Sequence, residues 1–171
     1  MSTVSGDIDL DSIEQRLMEF GPAATVPGST FKYVGQRVGG IGDILITRFC
    51  QDAQRIFLNK NYLIALPRSF ATCQNLRNLC LSRNELESVP PPILQLTGLV
   101  VLTLSHNKIT RIPNAIVRLQ NLEALAVSYN RLISLPRALG MMSQLQIVIG
   151  TKCRLNAHYQ PHFLSHGDVS T

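Results

Sequence analysis

Three groups of residues in this chain carry side chains that could do chemistry. Cys80 and His106 could pair as thiol nucleophile and base. They lie 26 residues apart, three positions out of step with the 23-residue period described below. On neighbouring strands, at about 3.3 Å per residue and about 4.8 Å between strands, that offset leaves them roughly 11 Å apart. A working dyad needs about 3 Å. The glycine-rich piece Gly35–Asp43, GQRVGGIGD, invites a phosphate-loop reading. It lacks the Lys of a Walker A loop and the G-x-G-x-x-G order of a dinucleotide turn, so a connector is expected instead. His158, His162 and His166 recur every four residues, with Cys153 upstream, which on a helix would align three imidazoles for zinc. Pro161 interrupts any such helix, and no metal is expected. Glu85 and Glu87 have no partnered acid, and G-x-S-x-G is absent. No catalytic constellation and no cofactor site emerge, so the chain reads as a non-enzyme.

The elements that would position these residues follow a strict period. Leu76, Leu79, Leu81, Asn84, Leu86, Val89 and Pro90 form one unit. The same slots return 23 residues on as Leu99, Leu102, Leu104, Asn107, Ile109, Ile112 and Pro113, and again as Leu122, Leu125, Val127, Asn130, Leu132, Leu135 and Pro136. One period earlier they hold Ala53, Ile56, Leu58, Asn61, Leu63, Leu66 and Pro67. A fixed 20–29-residue period with this order is the leucine-rich-repeat signature. The chain resembles the short intracellular leucine-rich-repeat proteins and Ras-pathway scaffolds with 23-residue repeats. The resemblance implies an α/β fold: a right-handed solenoid in a short horseshoe arc, with a parallel sheet on its concave side and an N-terminal helical cap.

Each L-x-L segment alternates and predicts a short strand with its leucines in the core. Asn61, Asn84, Asn107 and Asn130 can bond the backbone of successive turns as a ladder. The I/L-x-x-L pieces (Ile93 and Leu96, Ile116 and Leu119, Leu139 and Met142) close the convex side, with Phe70 and Cys73 in those slots of the first repeat. Cys73 therefore reads as a small buried hydrophobe. A fifth unit decays: Gly150 stands in a leucine slot, Cys153 replaces the asparagine, and the register is lost after Leu155.

Three domain segments follow. Residues 1–41 hold an amphipathic helix over Asp9–Phe20 (Ile13, Leu17, Phe20) and a Gly-rich linker, partly disordered. Residues 42–155 hold the repeats, opened by a cap helix over 42–53 whose apolar face is Ile44, Leu45, Phe49 and Ala53. Residues 156–171 are a polar tail.

The outward strand positions line the concave face, the usual binding surface of this architecture. By column they are Arg55, Asn78, Val101, Ala124, Ile147; then Phe57, Cys80, Thr103, Ala126, Ile149; then Asn59, Ser82, Ser105, Ser128, Thr151; then Lys60, Arg83, His106, Tyr129, Lys152. The first two columns turn apolar toward the C-terminus, which implies a cover: a protein partner, the N-terminal helix, or the tail. The last column is basic with one tyrosine. Expected partner-binding residues are Arg55, Phe57, Asn78, Cys80, Arg83, Val101, Thr103, His106, Ala124, Ala126, Tyr129, Ile147, Ile149 and Lys152.

The 171 residues carry a net charge of +5. No run of five basic residues occurs, and stacking aromatics are sparse on the face, so nucleic acid is disfavoured as a partner. The four cysteines form no C-x-x-C or cysteine-rich cap, and no N-x-S/T sequon occurs. The polar start has no apolar leader region, and no apolar run approaches a membrane span. A reduced cytoplasmic protein off the membrane is the expectation, with the nucleus as the alternative. The function expected is a non-catalytic adaptor or scaffold whose concave face binds a protein, with small GTPases, phosphatases or kinases as the partners implied by resemblance. Two alternatives stay open: the repeat part of a larger signalling enzyme, and a binder of nucleic acid or acidic surfaces through the basic stripe.

Overall fold

The structure, a computed structural model, describes residues 30–153. The helix expected over Asp9–Phe20, linker residues 21–29, the tail 156–171 and the spaced histidines lie outside the described residues.

Six three-residue strands form one parallel sheet in sequence order: β1 (Thr30–Lys32), β2 (Arg55–Phe57), β3 (Asn78–Cys80), β4 (Val101–Thr103), β5 (Ala124–Ala126) and β6 (Ile147–Ile149). From β2 to β6 the pairing follows the 23-residue period, so Arg55, Asn78, Val101, Ala124 and Ile147 stand in one row. The alternating leucines Leu79, Leu102 and Leu125 point the other way, into a continuous core between sheet and convex side.

Proline starts each convex turn. Pro67, Pro90, Pro113 and Pro136 sit at the N-caps of 3-10 turns Arg68–Thr72, Pro91–Gln95, Asn114–Arg118 and Arg137–Met141. Proline fixes φ and has no N–H to leave unpaired. In a 3-10 turn residues three apart eclipse. The I/L-x-x-L spacing therefore buries Ile93 with Leu96, Ile116 with Leu119 and Phe70 with Cys73.

β1 is the departure from the sequence expectation. From Thr30 onward, the segment read as a linker is the first coil of the solenoid, and Thr30 pairs with Arg55. The offset here is 25 residues rather than 23, so a 23-residue register sets Gly35 and Gly40 against Leu58 and Leu63 and hides the repeat. With the longer offset, Phe31, Tyr33, Gln36 and Val38 take the Leu, Leu, Asn and Leu slots. The Val38 carbonyl accepts from Tyr62 N–H as Leu63 does from Glu85.

Helix α1 (Asp43–Phe49) occupies the convex position of this first coil and packs beside the turn Arg68–Thr72. Ser69 Oγ donates to Asp43 Oδ1 at 2.5 Å. The buried face of the helix differs from the expected one. Ile46 and Cys50, one helical turn apart, point into the core with Ala53 beyond, and Leu45 is half-buried. Ile44 and Phe49 project outward at 78% and 59% exposure. The helix meets a single neighbouring turn rather than a broad surface, so one narrow i, i+4 stripe suffices.

Candidate interaction surface

The asparagine ladder fixes the spacing of the face. Asn84 Nδ2 donates to the carbonyls of Leu58 and Leu81 (2.9 Å each), and its Oδ1 accepts from Leu63 N–H (3.0 Å). Asn107 and Asn130 repeat the pattern one and two coils on. Each amide thus satisfies backbone groups of two coils that would otherwise be buried unpaired. Asn61 reaches the Tyr33 carbonyl at 2.7 Å, but its Oδ1 is buried and accepts no hydrogen bond among the described residues. The longer first coil leaves that half of the rung unmade.

The outward rows of β3–β5 are closed to solvent. Asn78, Val101, Thr103 and Ala124 are 0% exposed, Ala126 1% and Cys80 5%. Arg55, Phe57, Ile147 and Ile149 on the flanking strands are half-buried. The open concave surface expected from the columns is therefore absent in the central strands. Cys80, Val100, Val101, Ala124 and Ala126 form a second apolar cluster, with Phe57, Ile147 and Ile149 against it, on the opposite side of the sheet from the core. Val100 went unnoticed in the sequence because it precedes the strand, where other coils carry Arg77, Glu123 and Gln146. The apolar drift along the columns was the signal that this face is covered.

The next row is a buried polar seam. Ser82, Ser105 and Ser128 are buried; Ser82 Oγ donates to Thr103 Oγ1 (3.2 Å), and Thr151 N–H and Oγ1 reach Ser128 Oγ (3.1 Å each).

The basic column is the turn that leaves each strand, not part of the sheet surface. Lys60, Arg83, His106, Tyr129 and Lys152 all have left-handed backbones, with φ of 59°, 57°, 54°, 52° and 53°, and Gly35 takes the same place in the first coil. A sharp turn must follow the strand to start the next segment, and the left-handed region supplies it. Lys60, Arg83, Tyr129 and Lys152 are exposed and His106 is half-buried. The His106 and Tyr129 rings stack at 4.2 Å between centroids. Lys32 Nζ lies 5.3 Å from the centre of the Phe57 ring, so a cation also sits at the first-coil end of the face.

The thiols belong to packing rather than to reactive chemistry. Burial pushes the Cys50 thiol up to about 12, with Cys73 adding to the shift, and burial pushes Cys73 up to about 11. Both are far from the thiolate state that nucleophiles and metal ligands need. Cys153, also raised by burial, donates to the Val127 carbonyl at 3.4 Å. Among the described residues no three His, Cys, Asp or Glu side chains gather to hold a metal ion, and no helix is long and apolar enough to cross a membrane.

Repeating coils, a parallel column of three-residue strands, an asparagine ladder and proline-started convex turns define a class of solenoid. Residues 74–132 match the family model described as leucine rich repeat, and the described residues have the α/β solenoid fold of leucine-rich-repeat domains. It is similar to the leucine-rich-repeat domain of the type III effector XopL, with a TM-score of 0.66 and 25% identity over 74% of this chain and 46% of that one. It is also similar to a chain of an octameric complex of Latrophilin 3, Unc5D and the leucine-rich-repeat part of FLRT2, with a TM-score of 0.63 and 25% identity over 75% of this chain and 41% of that one. The chain thus spans less than half the length of either. No curated protein sequence matches it. Leucine-rich-repeat domains are generally modules for binding proteins.

Proposed function

We propose that this chain is a non-catalytic adaptor or scaffold of the cytoplasm that binds a signalling protein through its concave face. The observation that carries the reading is the second apolar cluster on the outward side of β3–β5. A solenoid needs only one core, so apolar rows on the far side serve contact. Six strands at about 4.8 Å give a sheet about 24 Å across, room for an interface of about 800 Å² per partner. Small GTPases, phosphatases and kinases are the partner classes that the resemblance brings.

The test is affinity capture with Ile147→Glu and Ala124→Arg. Both are expected to lose a partner that the unmodified chain retains, and Ile147→Glu, at a half-buried position, should do so with circular dichroism unchanged. A partner that survives both substitutions does not use this face. A second reading draws on the exposed Lys60, Arg83 and Lys152 along the turn column: binding to nucleic acid or another acidic surface. Heparin retention that falls steeply with salt would support it; elution below physiological salt would remove it. A third, the repeat part of a larger signalling enzyme, draws on the 46% and 41% coverage of the similar chains, and a reading frame continuing into a catalytic domain would decide for it.

A further inference from the structure

The flank of the solenoid, just past the asparagine ladder, carries a pattern that matches itself. After each ladder asparagine the side chains alternate. Leu63, Leu86, Ile109 and Leu132 point into the core and are buried; the residues before and after each of them stand on the surface. Backbone hydrogen bonds hold neighbouring coils in register here. Glu85 N–H donates to the Leu63 carbonyl at 3.0 Å, Lys108 N–H to Leu86 at 2.8 Å and Arg131 N–H to Ile109 at 2.9 Å. Two surface rows result. One reads Tyr62, Glu85, Lys108, Arg131; the other reads Ile64, Glu87, Thr110, Ile133. Arg37, the first-coil member of the first row, lies one step outside these four coils.

The rows have apolar ends and a charged middle. Ile64 is 72% exposed, Ile133 58% and Tyr62 50%. Between them Glu85 forms an ion pair with Lys108 of the next coil. A single exposed isoleucine needs no explanation. Two in the same slot, at equal distances on either side of a charge pair, form a symmetric pattern.

We propose that this flank is a two-fold interface between two copies of the chain, with their solenoids antiparallel. An axis lying in the surface between the coils of β3 and β4, across the solenoid, reverses coil order and keeps the rows. Ile64 then meets Ile133 of the second copy, Tyr62 meets Arg131, Glu85 meets Lys108, and Glu87 meets Thr110 with Arg111 beside it. Each contact occurs twice, as two-fold symmetry requires. No pairing sets like charges together. A surface built for a different protein has no reason to complement itself under rotation, and this selects a second copy as the occupant. The parallel arrangement, with the axis along the solenoid, sets Glu85 against Glu87 and is excluded by repulsion.

The isoleucines supply the apolar contact, and the Tyr62 ring offers its face to the Arg131 guanidinium. The two Glu85–Lys108 pairs cross as four charges of alternating sign. Exposed ion pairs add little affinity, but they fix register and orientation. The paired rows span three coil steps, about 14 Å. The contact therefore belongs to the small class below about 600 Å² per copy, and the dimer is weak. The flank is separate from the concave face, so the proposal does not rest on the adaptor reading.

Sedimentation equilibrium of the full-length chain from about 10 μM to about 1 mM tests it. The weight-average mass should rise from one chain toward two, and rise less in about 0.5 M salt. Ile64→Asp should abolish the rise. Glu85→Lys and Lys108→Glu should each stay monomeric, because each sets like charges across the axis. Their equimolar mixture should associate at least as well as the unmodified chain, because opposite charges then face each other on both sides. An unmodified chain that keeps the mass of one chain throughout overturns the proposal. So does a dimer untouched by Ile64→Asp, which would place self-association elsewhere, and so does a mixture as monomeric as its components. Should a charge variant fail to fold, Ile64→Arg mixed with Ile133→Glu makes the same comparison: each alone should be monomeric and the mixture dimeric, and a mixture that stays monomeric refutes the antiparallel pairing.

Discussion

The Cys153 thiol reaches the Val127 carbonyl at 3.4 Å, in the place where Asn130 reaches the Leu104 carbonyl at 3.0 Å one coil earlier. A thiol can donate weakly there but cannot reproduce the Oδ1 that accepts Ile109 N–H at 2.9 Å. Cys153→Asn should supply that acceptor to Leu132 N–H and stabilise the chain by about 1 kcal/mol. The reverse operation in mid-ladder, Asn107→Ala, should cost about 3 kcal/mol, because it strands an N–H and two carbonyls in the interior. Urea unfolding midpoints check both; equal effects at the two positions would mean the ladder is not what limits stability.

The buried thiols set a pH dependence. An unfolded cysteine titrates near 8.5, whereas Cys50 and Cys73 titrate at about 12 and about 11 when folded. The unfolded chain therefore gives up these protons first. Their contribution is whole below pH 8.5 and is lost as pH rises toward 11, at up to about 1.4 kcal/mol per pH unit for each thiol. Unfolding free energies measured from pH 8 to 10.5 should fall, and the slope should flatten in Cys50→Ala/Cys73→Ala. An unchanged slope in that variant would place the titration elsewhere.

How much of this was legible in the sequence depends on which physical rule governed each residue. The rows Arg55 to Ile147 and Phe57 to Ile149 follow from period alone, because parallel pairing transmits a constant offset from coil to coil. β1 escaped because two additional residues shift Gly35 under Lys60 rather than under Leu58, and no local pattern announces an insertion. On α1, Ile44 and Phe49 looked as apolar as Ile46 and Cys50; only the position of the Arg68–Thr72 turn selects between the stripes. The closure of Val101 and Ala124 was signalled by composition, but its completeness is a property of the folded chain.

The turn column offers a third test. A left-handed backbone costs a residue with a Cβ about 1 kcal/mol relative to glycine, and the first coil already uses Gly35 at this place. Lys60→Gly should therefore raise the melting temperature or leave it unchanged, despite the greater freedom of the unfolded chain. A loss above about 1 kcal/mol would show that the Lys60 side chain contributes contacts of its own.

One substitution at two glycines should differ in sign. A methyl at Gly150 would meet Val127 Cγ2 at 3.7 Å, an ordinary contact, in a slot that other coils fill with leucine or valine. A methyl at Gly98 would run into the Arg77 guanidinium, which donates to the Gly98 carbonyl at 3.0 Å. Gly150→Ala should stabilise by about 0.5 kcal/mol; Gly98→Ala should lose up to about 1 kcal/mol as Arg77 gives up its bond. Calorimetric scans of the two variants make the comparison.

The end coils give the solenoid a gradient of stability. Each coil touches only its neighbours, and β6 is half-buried where β3–β5 are closed, with a thiol for an amide in its rung. Opening free energies should thus climb from β6 toward β4 rather than belong to the molecule as a whole. A protease, a translocating motor or a mechanical pull acting at β6 would meet a weakened coil first and peel the solenoid one turn at a time, and the same agent at β1 would meet an asparagine rung only half made, backed by helix α1 on the next convex turn. As a mechanical object the protein is therefore firm in its middle coils and soft toward both described ends.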